Sequence, residues 1–152
     1  MMAPSFVGRS LLPGLLMLAG PAALAQEPAL AFSAQAPDLQ WKSCPDPLPK
    51  GCQLAVLHGD PAKPNADVFL KLPGPSKIPL HTHTSAERIV LVAGTFHITY
   101  EGQKMAVLQP GSYAYGPATK PHSAECVSRK PCILFIAFEA PVDIKAAANA
   151  GK

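Results

Sequence analysis

Three histidines and one glutamate are spaced so that they could do chemistry together. His81 and His83 are separated by one residue, and Glu87 follows after three more. Alternate residues of a strand face the same way, so both imidazoles project from one face. A short turn through Thr84, Ser85 and Ala86 can return Glu87 against them at the start of the next strand. Two imidazoles and a carboxylate meeting at one point suit a first-row transition metal. A fourth ligand must come from elsewhere in the chain, and His122 in GSYAYGPATKPHSAEC is the candidate. Three histidines and a carboxylate would leave positions open to water, O2 or a chelating substrate, as catalytic or ligand-binding metal sites do.

Positioning such a set calls for strands. From Gln53 onward the chain offers QLAVLH, ADVFLKL, RIVLVA, TFHITY, MAVLQ and CILFIAF, separated by turn sequences such as GDPAKPN, LPGPSKIP and GPATKP. Short β-branched or aromatic runs with Gly/Pro punctuation predict an all-β sandwich or barrel. No stretch after residue 50 holds a helical apolar period. Gly94 and Gly111 fall where strands must reverse, a place for positive φ. Residues 26–52 are rich in Ala and Pro and read as an arm, which Trp41 pins to the surface. Residues 141–152 read as a tail, with 144–150 a frayed helical turn or disordered.

The two histidine-bearing stretches resemble the two signatures of the cupin superfamily, G(X)5HXH(X)3–4E(X)6G and G(X)5PXG(X)2H(X)3N. His81, His83, Glu87 and Gly94 match the first in type and spacing, while Gly74 stands one residue further back than the pattern has it. Gly111, Pro117 and His122 match the second; Thr119 replaces its middle glycine and Cys126 its terminal asparagine. The likeness covers roughly residues 53–140 and is similar to small exported single-domain bacterial cupins. It implies a double-stranded β-helix, or jelly-roll barrel, with one divalent metal (Fe, Mn, Zn, Ni or Cu) held by His81, His83, Glu87 and His122. It also suggests a homodimer.

The first 25 residues belong to a different task. Arg9 precedes an apolar stretch, Leu11 to Leu24, and Ala23 and Ala25 provide small residues for cleavage before Gln26. That stretch is too short, and too broken by Pro and Gly, to span a membrane. A cleaved signal peptide and a periplasmic or secreted protein are expected, without a stable membrane anchor. Removing 25 of the 152 residues leaves 127, enough for one core. The formal charge of +3 is spread without a basic run, which argues against nucleic acid as a partner. Four cysteines in an exported chain read as two disulfides. Local pairing is expected: Cys44–Cys52 around PDPLPKG, and Cys126–Cys132 as a hairpin bridge at the barrel's end. On that strand Leu134, Ile136 and Phe138 would share the inward face with Cys132.

These readings point to a metal-dependent enzyme acting on a small oxygen-rich organic substrate, of the oxygenase, isomerase or lyase type. The alternative is a module that binds or senses a small ligand through the metal without turnover. A third reading is a metal-free barrel. An acid or base near the metal would separate the first two; Tyr113 and Tyr115, alternating on one strand, are the catalytic candidates, with Tyr100 beside them. His58 and His97 read as hydrogen-bonded core residues, with His97 off the lumen. Arg88 reads as a surface or dimer contact. No GxSxG elbow, P-loop or GxGxxG offers a competing active site.

Overall fold

Eleven strands and no helix make up the regular structure of the described residues, 26–147, in a computed structural model. The proposed signal, residues 1–25, lies outside them. The chain divides after Leu30; of the first unit, residues 26–30 are exposed and carry no regular structure.

From Ala31 on, the strands are β1 (Lys42–Ser43), β2 (Gln53–His58), β3 (Ala66–Leu72), β4 (Ser76–Thr82), β5 (Glu87–Ala93), β6 (Phe96–Tyr100), β7 (Ala106–Leu108), β8 (Tyr113–Gly116), β9 (His122–Cys126), β10 (Cys132–Phe138) and β11 (Lys145–Ala146). They form two antiparallel sheets in the orders β1-β2-β3-β10-β5-β8 and β11-β4-β9-β6-β7. This is the expected jelly roll.

Strand alternation explains the core. Val68, Leu70 and Leu72 on β3, Leu134, Ile136 and Phe138 on β10, and Ile89 and Leu91 on β5 are buried against Ile78, Phe96, Ile98 and Ala124 of the facing sheet. A second apolar cluster lies on the outer face of the larger sheet, where Ala34 and Leu39 of the arm cover Ala55, Phe69 and Ile133. Trp41 packs there too, with Lys71 Nζ 4.2 Å from its ring centroid. A cation over an indole face is worth about 0.5–1 kcal/mol at a half-exposed site, so Trp41 does hold the arm down.

Both disulfides have the expected partners, Cys44–Cys52 and Cys126–Cys132. The second is not a hairpin bridge, however. Cys126 ends β9 in one sheet and Cys132 begins β10 in the other, so the bond ties the two sheets together. The two disulfides fit an oxidising, extracellular environment. Among the described residues no helix is long and apolar enough to cross a membrane.

Two other expectations change. The expected frayed turn or disordered tail over 144–150 is overturned at its start, where Lys145 and Ala146 pair with Thr82 and His81 as β11; residues 148–150 lie outside the described residues. His58 is exposed at the end of β2 rather than in the core, because β2 is bulged beside it and the strand is leaving the sheet. His97 lies between the buried Phe96 and Ile98 and faces outward, as the alternation requires.

Gly94 and Gly111 adopt φ of 91° and 89°, as their turns demand. Thr119, standing where the signature has glycine, takes φ 61°. That region is strained for a β-branched residue by about 1–2 kcal/mol. Its amide donates to the His83 carbonyl at 2.8 Å, so the strained turn links the two motif loops. Thr119→Gly is expected to raise stability to urea by about 0.5–1 kcal/mol, after the entropy cost of glycine is deducted. An unchanged or lower midpoint would show that the turn is not strained.

Candidate metal centre

The four candidate ligands come from both sheets. His81 lies on β4 and His83 one residue beyond it; His122 opens β9 and is paired with His81. Pro79, which has no amide hydrogen to give the ladder, sits where the β4–β9 register shifts, between Ile78 and His81. The Thr84–Ala86 turn then carries the chain across to the other sheet, where Glu87 opens β5 and faces back into the lumen. All four side chains are buried.

One ring nitrogen from each of His81, His83 and His122 lies within 4.8 Å of the others. The histidines alone make up that group; Glu87 stands beside two of them, with Oε1 3.3 Å from His83 Nε2 and Oε2 3.4 Å from His122 Nε2. The opposite ring nitrogens are all engaged by backbone. His81 Nδ1 donates to the Pro79 carbonyl at 2.7 Å, His122 Nδ1 to the Lys120 carbonyl at 3.0 Å, and His83 Nδ1 to the Asp143 carbonyl. A carbonyl only accepts, so each Nδ1 carries the hydrogen and each Nε2 presents a lone pair to the centre.

Electrostatics agree with this assignment. Burial pulls the His81 pKa down to about 3, helped by the neighbouring His122. Burial likewise lowers His122 to about 4 against the Lys120 carbonyl, and lowers His83 against the Asp143 carbonyl. Burial alone pushes Glu87 up to about 8. The imidazoles are therefore neutral at pH 7, the form that ligates a metal.

Does a cation fit? Three Nε2 lone pairs converge, the Glu87 carboxyl lies against two of them, and its Oε2 has no hydrogen-bond donor although it is buried. Acceptors gathered in an apolar interior are costly unless a cation balances them; without one the Glu87 carboxyl, raised to about 8, keeps its proton at pH 7, and a bound cation would take that proton's place. The donor set, borderline nitrogen with one hard oxygen, suits a divalent transition metal.

The tyrosines separate. Tyr113 and Tyr115 are 59% and 48% exposed and do not line the cavity. Glu87 is paired with Gly116, and opposite residues in a ladder share a face, so the residue before Gly116 must point out. Arg88 is on that outer face as well, paired with Glu139 and 5.9 Å from the Tyr115 ring centroid. Tyr100 is instead buried, its ring 5.1 Å from that of His122, and its hydroxyl has no partner. Burial, with the Glu87 charge behind it, holds this phenol well above its ordinary pKa. A Cβ at Gly116 would sit 3.0 Å from Tyr100 Oη and 3.3 Å from Glu87 Oε2, so glycine keeps that space open beside both oxygens.

Asp143 was not foreseen. Besides its carbonyl on His83, its carboxylate accepts from the Thr84 amide at 2.7 Å and from the Thr84 hydroxyl, and Lys145 Nζ lies 3.1 Å away. These contacts hold the carbonyl in place. No local pattern could have revealed it, because it acts on a residue 60 positions earlier. Asp143→Ala is expected to weaken metal binding about tenfold or more, the range for groups that orient a ligating histidine, while the barrel still folds. Titration of a chelator-stripped sample with Zn2+ would measure it, and an unchanged affinity would count against the role.

A two-sheet jelly roll with three histidines and a carboxylate facing its lumen defines a class of barrel with a candidate metal centre inside. Residues 68–138 match the cupin domain family, and this part of the chain is a cupin domain. No curated protein matches the sequence. Solved structures share the fold. DMSP lyase DddQ from Ruegeria pomeroyi superposes with a TM-score of 0.63 at 18% identity, over 83% of this chain and 75% of that one. The polyketide cyclase RemF from Streptomyces resistomycificus gives 0.63 at 15%, over 80% and 88%. An RmlC-like cupin from Shewanella frigidimarina gives 0.58 at 20%, over 76% and 93%.

Proposed function

We propose that this is an exported mononuclear metal-binding cupin, working as a metal-dependent enzyme on a small organic molecule. His81, His83 and His122 bind the ion through Nε2 and Glu87 through its carboxylate. The observation that carries this reading is the donor set, in which three lone pairs fixed by backbone carbonyls converge and a buried carboxyl whose Oε2 has no donor lies against two of them. A divalent transition metal there supplies Lewis acidity and open positions for substrate, water or O2, the requirements of oxygenase, isomerase or lyase chemistry. The chain itself excludes water with apolar walls, and Tyr100 holds a phenolic proton near Glu87. The lyase and the cyclase that share the fold support an enzymatic reading as analogy only.

The proposal includes removal of residues 1–25, an arm over 26–52, a barrel over 53–140 and a tail over 141–152. Export is supported by the two disulfides. A homodimer is supported by the exposed Val92, Tyr113 and Tyr115 on the part of the larger sheet that the arm leaves bare.

One observation favours the second reading, a binding or sensing module. With Tyr113 and Tyr115 outside, Tyr100 is the one tyrosine left near the ligands. Elemental analysis of untagged protein recovered from the periplasm tests the metal, with about one ion per chain expected. No uptake even after reconstitution would sink both readings. Turnover that falls in Tyr100→Phe with metal content unchanged would decide for the enzyme.

A further inference from the structure

The geometry points to a ligand with an apolar body and a single metal-binding head, rather than an oxygen-rich one. This inference rests on the metal-centre reading for the head and on the cavity walls alone for the body. The histidines and Glu87 stand in a cavity of about 100 Å³, room for a compact ligand.

Its wall is apolar on every side. Leu70 and Ile136 come from one sheet, and Phe96 and Ala124 from the other. Leu48 of the Cys44–Cys52 loop and Val142 of the tail add apolar wall from outside the strands. Beyond the four candidate ligands, Asp143 is the one polar residue among the described lining. Its carboxylate is taken by Thr84 and Lys145 and its carbonyl by His83. Among the described residues no lysine, arginine, amide or hydroxyl side chain lines the space; the Tyr100 hydroxyl lies behind it, by Gly116 and Glu87.

Each hydroxyl brought into such a wall without a partner costs about 1–3 kcal/mol, so a polyol is disfavoured by several powers of ten. A second anionic group would find no cation. Each methylene, by contrast, gains about 0.8 kcal/mol, or about fourfold in affinity. The expected ligand class is therefore a compact aliphatic or aromatic acid, or a similar one-headed chelator.

Calorimetry on Zn2+-loaded protein with straight-chain alkanoates from acetate to hexanoate, and with the matching 1-alkanols, tests this. Affinity should rise about fourfold per methylene in both series, and gluconate should bind at least tenfold more weakly than hexanoate. Leu48→Asp, on the disulfide loop, should cost hexanoate tenfold or more. A flat series, gluconate equal to hexanoate, or no effect of Leu48→Asp in a folded variant would overturn the apolar class and leave the metal reading standing. Alkanols that gain with length in a chain taking up no zinc would remove the metal reading and keep the apolar cavity.

Discussion

His83→Ala is expected to lower the affinity for Zn2+ or another divalent transition metal by at least about 100-fold. The reasoning is cumulative. Altering a group that merely orients a ligand costs 10–100-fold, so deleting the ligand itself costs at least the upper end, about 2.7 kcal/mol. The substitution also leaves the Asp143 carbonyl without its donor. Metal that binds only the folded chain adds about 4 kcal/mol of stability at a thousandfold excess over its dissociation constant. Wild type should therefore melt higher with metal than with a chelator, while His83→Ala, at least 100-fold weaker, should keep no more than about a third of that stabilisation at the same metal concentration. The check is a pair of thermal scans beside elemental analysis. A variant that keeps about one ion per chain would show that His83 is not a ligand.

The second large effect concerns Cys126–Cys132. The chain-entropy view assigns about 2–3 kcal/mol to closing a loop of this size, and nearly the same to Cys44–Cys52. The two bonds nevertheless differ in what they join. Cys126 and Cys132 are fully buried at the junction of the sheets, next to Gly94 and Thr95, whereas Cys44–Cys52 closes a loop beside the barrel. Cys126→Ala/Cys132→Ala should shift the whole unfolding transition by about 2–3 kcal/mol, read by urea denaturation. Cys44→Ala/Cys52→Ala should leave most of that transition in place and loosen the cavity wall at Pro45 and Leu48. Equal shifts would mean that loop entropy alone sets both values.

Three of the four candidate ligands were legible because their geometry is local, and His122 only because a second motif singled it out. One residue between histidines fixes a shared face, and a short turn limits where Glu87 can go. The strands carrying the core announced themselves through alternation. Register was not legible. The alternation in YAYG says that Tyr113 and Tyr115 face together, but only the Glu87–Gly116 pairing says that they face out. The bridge from Cys126 to Cys132 was readable as a pair, yet its role between sheets depends on β9 and β10 not pairing. Thr119 was visible as a departure from glycine, and the backbone takes the glycine conformation regardless. Contributions from Leu48, Val142 and Asp143 come from outside the strands and from far along the chain, where no periodicity marks them.

The bond from His83 to Asp143 also sets an order of events. Every other orienting carbonyl lies two residues before its histidine and is present as soon as that strand forms. His83 must wait for a residue 60 positions later, delivered by the segment that leads into β11. A nascent or clipped chain that stops short of residue 143 has all four candidate ligand side chains but lacks the carbonyl that orients one imidazole. Under the proposed metal-binding function, acquisition of the ion would be coupled to completion of the polypeptide, and an unfinished molecule would be a poor competitor for metal.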